Sequence, residues 1–431
     1  MKRIYIEKVQ PEVECEISGW VEKIRTQKTM FFIVLKDSTG SIQVAIEKEL
    51  MPEISKVVEG LTRQSVIRLT GKAIVAEKVK LRGMEFVPTS IEIESLAEDL
   101  PIDEESGKEL KMDYRWLDLR QDKERLIFQI RTYAEMAMRQ YFVEKGFIEI
   151  HTPKISAQSS EGGSEVFPIE YFGQKAYLTQ SPQFYKQMAM AAGFDKVFEI
   201  GPIYRAEKSF TSRHASEATC IDFEIAHVKS HHEVMDVEEK WFIYVLSKIK
   251  EKYGEVIKQE FGEEVQVPER IPRIKLAEVF KIFKEVYGIE TPEAEQLDLG
   301  PDQEKLICEY AKDYLGSEAV FITDYPAEAR AFYSKKIEGS YESMTFDLLY
   351  RGWEMNSGAV REHRYEELKQ QIEEHGIDSE KMKDYLEFFK YGCPTHGGMG
   401  LGIDRFMAKL LCLPSIKEVI YVFRGPSRLK P

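Results

Sequence analysis

The period of the apolar residues changes once along this chain, and the change divides it. Through the first ninety-odd residues apolar and polar side chains alternate in steps of two: Glu16 to Val21, Phe31 to Leu35, Ile42 to Ile46 after a turn at Asp37–Gly40, Ser65 to Gly71, and Met84 to Val87. That is the pattern of half-buried strands. From Lys123 to Lys145 the period becomes helical, with Ile127, Ile130, Ala134, Ala137 and Tyr141 on one stripe. Gly146 ends the helix and Pro153 blocks a restart.

Five short strands with a helical stretch near Met51–Glu59 after the third predict a small closed β-barrel of the OB type. The acidic, weakly patterned stretch that follows reads as a linker. The expected domains are a barrel over 1–95, a hinge over 96–122, and an α+β domain over 123–431 in which strands and helices mix.

Composition narrows the partners. With 43% hydrophobic and 31% charged residues, and no apolar run near the roughly 20 residues of a membrane span, the chain reads as globular with no membrane partner. The start, MKRIYIEKVQ, lacks a signal-peptide core, so the cytoplasm is the expected location. Five widely spaced cysteines, none in a CxxC pair, suggest neither a disulfide framework nor a zinc knuckle. A net charge of −14 argues against gripping nucleic acid by bulk electrostatics. Residues 1–95, however, hold 15 Lys/Arg against 14 Asp/Glu, so the acidity lies in the remainder.

Two segments carry chemistry. In Gly201–Glu207 (GPIYRAE) strand parity would place Arg205 and Glu207 on one face, and in Cys220–Ala226 it sets Cys220, Asp222 and Glu224 opposite Ile221, Phe223 and Ile225. Two strands joined by a basic loop would present a surface suited to a polyphosphate, with Arg205 countering charge at the phosphorus under attack; a solvated hairpin with surface ion pairs is the bland reading. Near the end, alternating glycines in Gly397–Gly402 clear one strand face for something flat to approach, and Arg405 falls in the first turn of the next helix. A dinucleotide loop is disfavoured because the strand-then-GxGxxG order is missing.

These two segments resemble motifs two and three of the class II aminoacyl-tRNA synthetases, and Gly146–Pro153 (GFIEIHTP) after a long helix resembles motif one. The barrel, with Gly19-Trp20-Val21 and Asp37-x-x-Gly40-x-x-Gln43, narrows the resemblance to the aspartyl, asparaginyl and lysyl branch. The implied catalytic fold is an antiparallel sheet flanked by helices. Motif one implies a homodimer.

Ser160–Phe167 and Leu178–Gln187 resemble the aspartyl enzymes most closely. Ser181 is a candidate helix N-cap with Pro182 at the first helical position and Gly193 past the end, and Gln183 and Lys186, three apart, share a face at the positive end of that helix. A cation and an amide there make a carboxylate site. By resemblance, Arg361 at the end of Glu354–Arg361 (EMNSGAVR) pairs with the aspartate side chain, Glu161 lies on a loop closing over it, and Asp222 binds its ammonium group; Ser357 completes the set. A guanidinium selects a planar carboxylate by charge and shape; a surface ion pair is the alternative.

The resemblance further implies that Arg205, Glu207, Arg213, His214, Glu217, Glu354, Gly402 and Arg405 bind ATP, with Arg205 and Arg405 catalytic. Asp347 and Glu354 would hold Mg2+. Being seven apart, they would face opposite ways on one straight strand, so a turn at Tyr350–Gly352 would have to unite them. The implied reaction activates L-aspartate with ATP and transfers it to tRNA-Asp. Arg25, Phe32 and Gln43 align with anticodon-reading positions, an arginine, an aromatic and an amide being usual equipment for splayed bases, although either Phe31 or Phe32 must be core.

Departures from the family are specific. Ala218 follows Glu217 where relatives place an aromatic, and the end of the chain around Arg424 and Arg428 differs. Glu22 stands where relatives that refuse tRNA-Asn tend to carry Trp, which tilts the reading toward tRNA-Asn as a second partner. The rivals are an asparaginyl enzyme, which would lack Lys186, a paralogue making a free small molecule, and a pure RNA-binding module.

Overall fold

In the computed structural model, which describes residues 2–157, 165–208 and 211–431, the strands of the first unit close on themselves. Strands β1 (Glu14–Thr26), β2 (Met30–Lys36) and β3 (Ser41–Glu47) are followed by helix α1 (Pro52–Glu59), β4 (Val66–Val75) and β5 (Met84–Ser95), in the closed order β1-β2-β3-β5-β4. Alternation drives the closure. Phe31, Ile33 and Leu35 are buried with Ile42, Val44 and Ile46, while Phe32, Val34 and Lys36 face outward. This unit spans Met1–Gly107, and the second spans Lys108–Pro431.

The second unit begins with two short helices, α2 (Lys108–Asp113) and α3 (Arg115–Asp118), inside the stretch expected to be a hinge. Arg115 is buried there, held by Asp118 at 2.5 Å and by the Glu418 carbonyl at 3.1 Å. The long helix α4 (Asp122–Glu144) buries the whole predicted stripe from Ile127 to Tyr141. Short strands β6 (Ile148–Glu149), β7 (Ile155–Ser156), β8 (Pro168–Tyr171) and β9 (Gln174–Leu178) lead to α5 (Gln183–Ala191). Next come β10 (Lys196–Tyr204), β11 (Glu217–Ala226), the 31-residue α6 (His231–Phe261), β12 (Arg273–Lys275), α7 (Leu276–Tyr287) and α8 (Pro301–Leu315). Strands β13 (Ala319–Thr323), β14 (Thr345–Tyr350) and β15 (Trp353–Arg361), helices α9 (Tyr365–Glu374) and α10 (Lys383–Glu387), then β16 (His396–Gly402) and α11 (Ile403–Leu410) complete it.

Among the described residues, eight strands form one sheet in the order β12-β13-β14-β15-β16-β11-β10-β6. The pairs β12/β13 and β10/β6 are parallel and all others antiparallel. One face buries Phe223, Leu348 and Met399 with α4 residues and with Trp241 and Phe242 of α6. The opposite face of the middle strands carries the polar side chains. No helix among the described residues is long and apolar enough to cross a membrane.

Candidate active site

The site lies where β10, β11, β16 and β15 run side by side. On β11, Ile221, Phe223 and Ile225 enter the core while Asp222 and Glu224 point the other way, as their parity requires. The glycines of β16 make room for them. A Cβ on Gly398 would collide with the Phe223 carbonyl and the Glu224 carboxylate, and one on Gly400 would come within 2.6 Å of Asp222 Oδ1. The cleared face is thus filled largely by the protein's own carboxylates. Gly402 alone, at the end of β16, meets nothing nearer than Arg405 at 3.7 Å.

Helix α5 delivers the first cation. It starts one residue later than the sequence suggests, at Gln183, and Ser181 Oγ accepts the Gln183 N–H at 3.2 Å. Gln183 and Lys186 share the buried face. Lys186 is only 2% exposed, and its Nζ lies 3.0 Å from Asp222 Oδ1, 3.3 Å from Glu224 Oε2 and 3.0 Å from the Met399 carbonyl. The second cation is Arg361 on β15, whose Nε donates to Glu224 Oε1 at 3.0 Å and whose NH2 donates to the Gly398 carbonyl at 3.0 Å. It is a buried pair, 3% exposed, and not a surface one. Burial pushes the Glu224 carboxyl up, but Arg361 and Lys186 outweigh it and hold it below the usual range.

Gln183, Lys186, Arg205, Asp222, Ser357 and Arg361 line one cavity of about 230 Å³, together with Arg330 and Tyr333. Glu161 lies outside the described residues. Strand β10 ends at Tyr204, but the Arg205 N–H donates to the Ser216 carbonyl at 2.9 Å, one step on in the register that pairs Tyr204 with Glu217, and Arg205 lines the cavity together with Ile203, two residues before it. Glu207 lies beyond the strand.

A second group adjoins β15. Arg405, in the first turn of α11, donates to the carbonyls of Glu354 at 3.1 Å and Arg213 at 3.3 Å. Arg213 is fixed by both oxygens of the buried Glu304 of α8 at 2.9 and 2.7 Å, and Glu304 also accepts the Glu354 N–H at 2.8 Å. His214 bonds Thr211, and burial and then Arg405 push its imidazole down. Glu217 is exposed at the start of β11, opposite Tyr204, whose phenol is pushed up by burial and by this carboxylate. Glu207 is half-buried, close enough to oppose the push on His214.

Asp347 and Glu354 come to one face through a two-residue turn, Arg351 and Gly352, at φ 48° and 82°. Positive φ at both positions gives the twist that suits a tight hairpin. Asp347 Oδ2 is held by Arg330 NH2 at 2.6 Å, while its Oδ1 is buried without a hydrogen-bond partner. Burial and then Asp347 push Glu354 up to about 7, although 37% of its side chain stays accessible and water softens that push. Among the described residues no three His, Cys, Asp or Glu converge as a metal cluster.

Arg330 and Glu304 were missed from the sequence. Each comes from a segment with no motif, and only the tertiary fold brings them in. Arg330 also stacks on Tyr325 at 3.4 Å and donates to Ser357 Oγ at 3.1 Å.

On the barrel, Phe31 is the core residue and Phe32 faces outward, with the Arg25 guanidinium 4.8 Å from its ring centre. Gln43 is half-buried and donates to Glu85 at 2.6 Å. Glu22 lies 3.5 Å from both Lys36 Nζ and Ser41 Oγ.

Residues 107–423 match the family model of tRNA synthetases class II (D, K and N), and residues 15–94 match the OB-fold nucleic acid binding domain. The chain is 42% identical to the aspartate–tRNA(Asp) ligase of Pyrococcus abyssi over 96% of each chain. It is 40% identical to the aspartate–tRNA(Asp/Asn) ligase of Methanopyrus kandleri over 100% of each. The fold superposes on the asparaginyl-tRNA synthetase of Pyrococcus horikoshii complexed with asparaginyl-adenylate, at a TM-score of 0.92 and 29% identity over 100% of each chain. It also superposes on the aspartyl tRNA synthetase of Entamoeba histolytica, at 0.88 and 28%, over 100% of this chain and 93% of that one. The chain therefore belongs to the class II aminoacyl-tRNA synthetases of the aspartyl, lysyl and asparaginyl group, with an OB-fold nucleic-acid-binding domain at its N-terminus.

Proposed function

We propose that this synthetase activates L-aspartate with ATP and charges tRNA-Asp, and tRNA-Asn as well. One observation carries the choice of amino acid: the charged side chains lining the cavity are Lys186, Arg205, Arg330 and Arg361 against the single carboxylate Asp222. Lys186 and Arg361 are buried there with Glu224 as their shared counterion, and such donors favour a carboxylate side chain over an amide, whose N–H groups would face them. Asp222, the carboxylate in this lining, is proposed to take the ammonium group beside Lys186.

In the proposed reaction an oxygen of the aspartate α-carboxylate attacks the α-phosphorus of ATP, the bond to the β-phosphate oxygen breaks, and pyrophosphate leaves. The 3′-terminal hydroxyl of tRNA then attacks the activated carbonyl, giving up its proton, and AMP leaves. No protein nucleophile is needed; Arg205 and Arg405 supply position and opposing charge. Glu207, Arg213, His214, Glu217 and Gly402 are proposed to border ATP.

Asp347 and Glu354, with Ser357 opposite Asp347, fit a divalent cation, because one oxygen of Asp347 is buried unpartnered and the two carboxylates crowd each other. When bound there, magnesium would neutralise phosphate charge.

Phe32, Arg25 and Gln43 are proposed to read the anticodon. The extension to tRNA-Asn rests on Glu22, which offers no ring for stacking; Lys36 offsets its charge. A homodimer is proposed because Met136, Val143, Ile148 and Ile155 leave apolar surface on and after α4. A light-scattering mass equal to one 50.0 kDa chain would contradict it.

Charging assays with purified tRNAs test the reading. Aspartate should be esterified to both; tRNA-Asn charged more than about a thousandfold less efficiently, a gap of about 4 kcal/mol, would remove it from the substrates.

A further inference from the structure

Glu354 and Arg361 are seven residues apart on one strand, an odd separation that puts side chains on opposite faces of a regular β-strand. Both nevertheless face the site. The reason is an extra residue in β15: Asp347 pairs with Ser357 and Leu348 with Asn356, but Leu349 pairs with Glu354, so Met355 has no counterpart on β14. A bulge of this kind reverses the parity beyond it. Glu354 stands before the bulge, and Ser357 and Arg361 stand after it, on one face. Met355 and Asn356 are both buried.

The bulge is held by a side chain. Asn356 Oδ1 accepts the Leu348 N–H at 2.8 Å, taking the place of a ladder carbonyl. The Asn356 amide in turn faces Glu238 of α6, a fully buried carboxyl beneath the sheet. Buried polar groups need such pairing, and neither Glu238 oxygen nor Asn356 Nδ2 has a partner of strict hydrogen-bond geometry.

We propose that Asn356, backed by Glu238, is a positioning residue that fixes the Met355 bulge and so holds the phosphate end of the site, Glu354, and the amino-acid end, Arg361, on one face. This rests on the aspartate-activating reading, which wild-type pyrophosphate exchange with aspartate tests by itself.

The role predicts a loss in kcat, not in ground-state binding, because each half of the site survives while their mutual alignment is lost. The experiment compares Asn356→Leu, which removes the acceptor, with Asn356→Asp, which keeps it. Aspartate-dependent exchange is measured beside equilibrium calorimetry of ATP and of aspartate, each alone. Asn356→Leu should lose about a hundredfold in kcat with both affinities within about threefold, and Asn356→Asp should recover at least about tenfold of that loss. Should Asn356→Leu fail to fold, Glu238→Met decides: about a tenfold loss of kcat at unchanged affinities supports the role. Full kcat in Asn356→Leu or Glu238→Met, a loss in affinity in place of kcat, or no recovery in Asn356→Asp would overturn it.

Discussion

Glu224 of β11 holds two cations at once, Arg361 Nε at 3.0 Å and Lys186 Nζ at 3.3 Å, with its own side chain fully buried. A carboxylate so placed holds both cations in position before any substrate arrives. Removing it leaves buried charge uncompensated, which costs about 3–5 kcal/mol. Glu224→Gln should therefore lower unfolding stability by an amount of that order, read by urea titration, and weaken aspartate binding. An unchanged midpoint would show that the two cations are satisfied without it.

Arg205 lines the cavity one step past the end of β10, its N–H still bonded to the Ser216 carbonyl. Arg205→Ala should raise the barrier to adenylate formation by about 2–4 kcal/mol at an unchanged melting temperature. Pyrophosphate exchange reads the first and calorimetry the second; near-normal exchange would remove Arg205 from the chemistry.

The pH dependence of stability should carry the mark of Glu238. Burial pushes this carboxyl up to about 8, with Asp347 adding to the push and Asn356 opposing it. Between the ordinary carboxyl value of 4.5 and 8 the folded chain keeps a proton that the unfolded chain releases, so stability present below 4.5 is lost as pH rises through 8. Glu238→Gln removes that loss. Its stability relative to wild type should grow by a few kcal/mol from pH 5 to pH 8, and a difference independent of pH would show that Glu238 titrates normally.

Phe32 is half-buried on the barrel's outer face under the Arg25 guanidinium. Stacking of one base contributes about 1–3 kcal/mol, so Phe32→Ala should raise the KM for tRNA five- to a hundredfold or so and leave pyrophosphate exchange untouched. Equal effects on both reactions would mean that Phe32 supports the fold instead of reading RNA.

Much of this architecture was legible because periodicity reports burial directly. The barrel strands, the α4 stripe and the outward Asp222 and Glu224 followed from steps of two or 3.6. What escaped was whatever breaks the period or spans the sequence. The Met355 bulge inserts one residue with no distinguishing composition, and the β10–β11 pairing runs out after Arg205, before the parity argument reaches Glu207. The glycines of β16 signalled a close approach, but only the fold shows that Asp222 and Glu224 make it. Arg330 reaches Asp347 from a short turn that carries no pattern.

The choice of aspartate is the central claim, and ATP–pyrophosphate exchange with aspartate and asparagine compared under one set of conditions tests it most directly. With four cations and one carboxylate lining the cavity, kcat/KM for aspartate should exceed that for asparagine by at least about a hundredfold, roughly 2.7 kcal/mol. Equal exchange, or a preference for asparagine, would contradict the account.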